Sequence, residues 1–367
     1  MYVYDGEGRR WLDLESGVWC LPLGHGCSAV NEAVFTQMNK CTHTGYCYTD
    51  EIVERTAERL LTSAGFNAGR CAFLTSGSEA VETGVQIIRA VTGGKLLLTF
   101  TDSFLGSHGS AAKKGADEWH QFDWLGCADC ARDCKNCPLF MKIPFDKIGG
   151  FVFEPGSSSG LVRFPPENLV SAIAKEVKNR GGILMANEIT TGFGRTGKMY
   201  GYEHYGYSPD IVCVGKGAGN GYPVSAVILN NDTAEKTEDA HFKLSQSHQN
   251  DPAGASAVSA VLREFERLDI ITASRDQGRY FLSRLTELKD KYPFISDVRG
   301  RGLMMSVTLD GLPEDAVQSV FEKLFEAGYI IVRRPGLKVF RIDPPLIITR
   351  EQTDGFISAF DVILSRV

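Results

Sequence analysis

Two hydrophobic periods alternate through the middle of the chain. Short, continuously apolar runs occur at Cys71-Ala-Phe-Leu-Thr75, Lys95-Leu-Leu-Leu-Thr-Phe100, Gly149-Gly-Phe-Val-Phe-Glu154, Ile183-Leu-Met-Ala-Asn187 and Asp210-Ile-Val-Cys-Val214. Runs of this kind predict strands buried on both faces, the pattern of a parallel sheet. Between them the spacing turns helical. Over 79–91, Val81, Val85, Ile88 and Ala90 fall on one face. A second helix is predicted over 167–178, closed by Gly181-Gly182. Strand and helix in alternation predict an α/β fold with a mostly parallel, doubly wound sheet.

From about Pro252 the texture changes. A long helix is predicted through 255–262 towards Leu268, and 303–309, 329–333 and 339–342 read as antiparallel strands. Thr349 and Gln352 have the spacing of a capping box and open a last helix. This part predicts a smaller α+β domain. The least regular stretch is about 111–145.

Composition narrows the classes. The chain has 367 residues, 43% hydrophobic and 23% charged, which suits a folded protein of two or three domains at roughly 150 residues each. A net charge of -6 argues against nucleic acid as a partner, because phosphates need a basic surface. No apolar run approaches the roughly 20 residues of a membrane span. The start, Met1-Tyr-Val-Tyr-Asp5, lacks the basic and apolar regions of a signal peptide. A cytoplasmic protein is expected.

Three strand ends carry chemistry. Thr75-Ser-Gly-Ser-Glu-Ala80 lies where a strand gives way to a helix, and a helix N-terminus suits a phosphate. Asn187-Glu188 and then Thr191-Gly-Phe-Gly-Arg-Thr-Gly197 follow a second strand. Lys216 follows a third, inside Val214-Gly-Lys-Gly-Ala-Gly-Asn-Gly-Tyr-Pro223, where a lysine amine is placed to form a Schiff base with a carbonyl. Ligands of open α/β sheets bind outside the carboxyl ends of the strands.

With these motifs in this order the chain resembles the class III, ornithine-aminotransferase-like, pyridoxal-phosphate enzymes of fold type I. Asp13-Leu-Glu-Ser-Gly17, Gly24-His25, Glu154-Pro155, Val298-Arg-Gly-Arg-Gly-Leu303 and Arg341-Ile-Asp-Pro-Pro-Leu346 extend the likeness nearly end to end. The resemblance implies a large coenzyme domain over 31–252, with a cysteine-rich insert at about 111–145, and a small domain made from 1–30 and 253–367. It implies that Lys216 is the Schiff-base lysine and proton shuttle. Ser76, Gly77 and Ser78 would hold the phosphate, Phe104 and Ile189 would take the two ring faces, and Glu154 and Asn187 would complete the coenzyme site. Ser247 would reach the phosphate of a partner subunit, making the active site a property of a homodimer. Arg341 would pair with a substrate carboxylate, and Trp19 would wall the substrate pocket. The implied reaction moves an amino group between an amino acid or amine and a 2-oxo acid.

Some positions depart from that pattern. The family has Asp-Glu where this chain has Asn187-Glu188, so the charge that keeps the ring nitrogen protonated is missing. An opposite charge of that kind is worth roughly one to three pKa units. A specialised transaminase, a racemase or decarboxylase on the same scaffold, and a non-catalytic binding or redox-sensing homologue all stay open on this residue. Ser159 stands where ω-amino members carry a Glu that masks the arginine, so Arg341 is expected to stand free. Val18 replaces a Gln of the dialkylglycine-decarboxylase branch, and Leu105 replaces a common His.

Ten cysteines are present. Cys20, Cys27, Cys41, Cys47, Cys71 and Cys213 are scattered and read as small buried hydrophobes. Cys127, Cys130, Cys134 and Cys137 instead crowd one short segment. Two C-x2-C pairs give the tetrahedral sulfur set of a structural zinc site. Cys130, Cys134 and Cys137 also match an iron–sulfur spacing. Zinc, an iron–sulfur cluster and four thiols without metal all remain open, with a structural role near the active-site mouth or the dimer interface.

Overall fold

A computed structural model describes residues 1–128, 130 and 134–367. Its centre is a seven-stranded sheet in the order Gly69–Leu74, Ser225–Asn230, Ile211–Val214, Ile183–Asn187, Ile148–Phe153, Leu96–Phe100, Trp119–Phe122. Ser225–Asn230 runs antiparallel to both neighbours, and the other pairs are parallel. All five predicted strands are present. Ser225–Asn230 and Trp119–Phe122 are additions that the apolar runs did not single out.

Side-chain alternation divides the two faces of the sheet. Val152 and Met185 pack against Val81, Val85 and Ile88 of the Gly77–Thr92 helix. Phe151, Phe153 and Leu184 pack the other way, against Leu169, Val170, Ile173 and Val177 of the Glu167–Asn179 helix. At Gly84 the first helix touches the sheet so closely that a Cβ would meet Met185 Sδ at 2.7 Å.

The remaining elements form two smaller sheets. Asp297–Arg301, Met304–Thr308, Val339–Ile342 and Val332–Arg333 make a four-stranded antiparallel sheet. Tyr2–Tyr4 and Arg10–Asp13 join Tyr329–Ile330 in a three-stranded one. The strand expected over 329–333 is therefore two strands in different sheets. The long helix expected towards Leu268 is Pro252–Arg267, and a further helix that was not singled out, Ile270–Lys291, follows where Asp269 adopts a φ of +46°. The capping box of Thr349 and Gln352 opens the Arg350–Leu364 helix as expected. Among the described residues no helix is long and apolar enough to cross a membrane.

Candidate active site

The anion cradle follows from how the Gly77–Thr92 helix starts. Ser76 caps it, accepting the Glu79 N–H at 3.3 Å, while Glu79 Oε2 accepts the N–H groups of Thr75 and Ser76 at 3.0 and 2.7 Å. Ala80 N–H bonds to Ser76 O. The N–H groups of Gly77 and Ser78 have no acceptor among the described residues, which leaves them for an anion at the positive end of the helix. Only glycine fits at 77, because a Cβ would stand 2.6 Å from Ile189 Cγ2. Gly106, at a φ of +124°, brings the next loop onto Ser78, whose Oγ accepts the Ser107 N–H at 3.0 Å.

Beside the cradle lies a cavity of about 210 Å³, lined by Gly77, Ser78, Phe104, Asn187, Ile189 and Lys216 among others. Phe104 is 47% exposed and Ile189 is half-buried. The loop carrying Phe104 is tied at several points. Phe104 N–H donates to Glu154 Oε2 at 2.9 Å, Trp124 Nε1 donates to Asp102 Oδ1 at 2.8 Å, and Lys114 Nζ donates to Ser103 O at 2.7 Å. Asn187 Nδ2 donates to Phe104 O at 3.1 Å and Asn187 Oδ1 accepts the Ile189 N–H at 3.3 Å. One acceptor and one donor on opposite ends fix the amide's orientation. Its second N–H is the group available to a ring nitrogen.

Lys216 opens a short turn, Lys216–Gly219, with its own φ at +44°. Its Nζ donates to Thr190 Oγ1 at 2.9 Å and lies 5.4 Å from the Trp19 ring. Burial lowers its pKa, against the pull of Glu154. The neutral amine, which is the nucleophile, is thereby more populated. Glu154 is itself pushed up to about 7 by burial, against hydrogen bonds from Ser158 and Phe104 N–H and the charge of Lys216.

The far wall comes from the two ends of the chain. Ser16, Gly17, Val18 and Trp19 form a left-handed turn, with φ values of +47°, +55°, +61° and +65°. Each non-glycine residue there costs roughly 1–2 kcal/mol. Asp13 Oδ1 holds the turn through the N–H groups of Glu15 and Ser16, and Arg195 Nη2 holds Ser16 Oγ at 2.9 Å. Arg195 also donates to Leu303 O and Pro344 O. Burial lowers the Arg195 pKa to about 10, with Asp343 opposing. The turn presents Trp19 within reach of both Lys216 and Arg341, 5.4 and 3.7 Å from its ring centroid.

Arg341 does not stand free, contrary to expectation. It is 2% exposed, its Nε pairs with Asp343 Oδ2 at 3.1 Å, and its guanidinium carbon lies 3.7 Å from the Trp19 ring centroid. A buried cation needs a counter-ion, and Asp343, two residues along the same backbone, supplies it. Trp19 Nε1 and Asp343 Oδ1 are both buried, and the indole N–H helps to hold the Asp343 carboxyl charged against burial. The pairing through Nε leaves the terminal nitrogens of Arg341 as the fork for a carboxylate.

The structure brings Gly77, Ser78, Phe104, Asn187, Ile189 and Lys216 to one cavity. Ser76 sits one residue outside, spent on the cap. Glu154 lies behind Phe104. Ser247 is exposed and absent from the lining. Thr190, Asp343 and Arg195 escaped the reading of the sequence. For Asp343 a signal was available, since residues two apart on a strand share a face with Arg341. The four clustered cysteines line one small space with Phe140, Asn168 and Leu169. There Cys127 has its thiol pKa raised by burial and by the neighbouring Cys137, Cys130 and Cys134.

The cradle, the slot between Phe104 and Ile189, and the depressed lysine amine fit a phosphorylated pyridine aldehyde, so the class is a pyridoxal-phosphate enzyme of fold type I. The chain matches the family described as Aminotransferase class-III over residues 1–124 and 111–364, and it belongs to that family. Acetylornithine aminotransferase of Aquifex aeolicus (strain VF5) is 30% identical over 373 residues, 99% of this chain and 95% of the relative. That of Bacillus subtilis (strain 168) is 31% identical over 360 residues, 96% and 89% of the two chains. A leucine/methionine racemase of Thermococcus litoralis is 29% identical over 383 residues, 96% and 86%. Among solved structures, a Bacillus anthracis aminotransferase has the same fold at a TM-score of 0.90 and 24% identity, covering 100% of this chain and 91% of its own. A PLP-bound amine transaminase from an uncultivated Pseudomonas species gives 0.88 at 25% identity, covering 100% and 93%. The protein is thus a pyridoxal-phosphate-dependent transaminase.

Proposed function

We propose that the amino donor is an amino acid rather than a simple amine, and that the acceptor is a 2-oxo acid. The Arg341 fork carries this reading: a guanidinium held by Asp343 against the Trp19 ring, which Lys216 also approaches. Relatives named acetylornithine aminotransferase support a carboxylate-bearing substrate. Pyridoxal phosphate supplies an aldehyde to capture the amino group and a ring to accept electron density from the α-carbon. This chain's residues do the rest. Gly77 and Ser78 N–H groups fix the phosphate, Phe104 and Ile189 hold the ring plane, and Arg341 orients the carboxylate. Lys216 Nζ moves the proton at the substrate α-carbon.

Two further groups belong to the proposal. Ser247 is the residue offered to a second copy's phosphate, so the working unit is a homodimer. Zinc or an iron–sulfur cluster occupies the cysteine quartet, in a compartment that keeps thiols reduced. Asn187 and the racemase relative favour one second reading, racemisation on the same scaffold.

Borohydride reduction of the holoprotein followed by peptide mapping is expected to label Lys216, and an unlabelled Lys216 overturns the mechanism. An amino-acid and amine screen decides the reaction. Formation of a 2-oxo acid from an amino acid supports transamination, while lost chirality without oxo acid supports racemisation. Turnover of amines alone defeats the role given to Arg341.

A further inference from the structure

We propose that Cys127, Cys130, Cys134 and Cys137 hold a single zinc ion, and that this centre positions the loop under the coenzyme ring. The four side chains come from two short turns, Leu125–Cys127 with Cys130, and Cys134–Asn136 with Cys137. Backbone bonds close each turn: Cys127 N–H to Trp124 O at 2.7 Å, Cys130 N–H to Cys127 O at 3.1 Å, and Cys137 N–H to Cys134 O at 3.0 Å. All four residues border one space of about 10 Å³. That is close to the room one water-sized sphere requires. Four thiolates around one cation are the tetrahedral sulfur set of a closed structural zinc site.

A second observation points at the same spot. Asn168 and Leu169, which also line the space, lie in the first turn of the Glu167–Asn179 helix. That helix has Pro166 as its N-cap and no side-chain cap. Its positive end therefore faces the sulfurs, and it favours thiolate over thiol. Binding is redox-neutral. Four S–H bonds lose their protons to solvent, four Zn–S bonds form, and the site takes a net charge of about −2.

The route from this centre to the groove is short. Cys127 closes the turn that begins at Trp124. The Trp124 indole packs beside Phe100, with ring centroids 6.3 Å apart, and donates to Asp102. Asp102 precedes Phe104 by two residues, and Phe104 N–H is fixed on Glu154. Ligation at Cys127 thus holds Trp124, Trp124 holds Asp102, and Asp102 sets where the Phe104 ring stands. The positioning half rests on coenzyme binding in the groove, whereas metal content is read without coenzyme or substrate and fails independently of the transamination reading.

Metal analysis of protein purified without chelator or metal-affinity resin is expected to give one zinc per chain. The Cys134→Ser, Cys137→Ser double variant is expected below one tenth of that, with Cys47→Ser, an exposed cysteine elsewhere, unchanged. Trp124→Phe, which removes only the indole N–H, is expected to keep its zinc and to weaken the Kd for pyridoxal phosphate at least 5-fold. Metal-free wild-type protein, or iron with acid-labile sulfide, overturns the single-ion centre. A Trp124→Phe variant with unchanged coenzyme Kd overturns its positioning role.

Discussion

The guanidinium of Arg341 lies 3.7 Å from the centre of the Trp19 ring while its Nε is bonded to Asp343. The arginine is therefore fixed before any substrate arrives, with one edge committed and the other offered. A rigid, planar fork is not replaced by a lysine point charge. Arg341→Lys is expected to lower kcat/KM for amino acids by at least tenfold and to leave amines without a carboxylate within about twofold, in steady-state assays of both substrate types. Equal losses for the two would remove Arg341 from carboxylate recognition.

Asn187 gives a second prediction. Asn187→Asp places a charge beside the ring nitrogen and takes away the donor to Phe104 O. The first change strengthens the electron sink, and the second removes a part-buried hydrogen bond to the Phe104 carbonyl at a cost of about 1 kcal/mol. The variant is expected to run the amino-acid half-reaction faster in stopped-flow absorbance, with a lower Tm for coenzyme-free protein. An unchanged or slower half-reaction defeats the first expectation.

At Gly77 the constraint is steric. Gly77→Ala puts a methyl 2.6 Å from Ile189 Cγ2, so the helix start has to shift and with it the two N–H groups aimed at the phosphate. Coenzyme affinity, followed by fluorescence quenching, is expected to fall by tenfold or more. Adding Ile189→Ala is expected to recover part of the loss, because it removes the clashing atom. Additive losses in the double variant would show that the crowding is not the cause.

Val18 is a β-branched residue held at a φ of +61°, 47% exposed. Val18→Gly relieves that strain without disturbing a packed side chain and is expected to stabilise the protein by about 1 kcal/mol in denaturant unfolding. A destabilised variant would mean that the left-handed turn is not strained.

Stability also carries a pH signature. Burial raises Glu188 from 4.5 to about 7, despite the hydroxyl of Thr191 and the N–H groups of Gly201 and Tyr202 that favour its charged form. The folded protein therefore binds this proton more tightly than the unfolded chain. Stability falls as pH rises from about 4.5 to about 7, by on the order of 3 kcal/mol, and is flat above. Glu154 acts in the same direction over the same window. Unfolding of coenzyme-free protein at pH 5, 6, 7 and 8 is expected to show this slope, reduced in Glu188→Gln. Identical slopes in the two proteins would rule Glu188 out as a source.

The chemistry at strand ends was legible in the sequence because it is written locally. An apolar run followed by glycines and one lysine marks Lys216, and a serine-glycine turn before an amphipathic helix marks Gly77 and Ser78. Thr190 and Asp343 were not legible as partners, since each acts on a residue brought to it by folding. The Ile270–Lys291 helix was not singled out, since it starts directly after the preceding helix at Asp269 with no glycine or proline to mark the junction. Ser225–Asn230 was masked by the glycine-rich loop that runs into it. The Arg341–Asp343 pair shows the limit most clearly: the motif was visible, but whether the arginine was free depended on burial.

The coenzyme groove is drawn from 76–216, whereas the walls that choose a substrate come from Trp19 and Arg341. A nascent polypeptide thus carries most of the groups for holding its cofactor, Ser247 aside, well before the arginine that tells one amine from another. Discrimination arrives only with the last strand, Val339–Ile342, which carries Arg341 and pairs with Met304–Thr308 and Val332–Arg333.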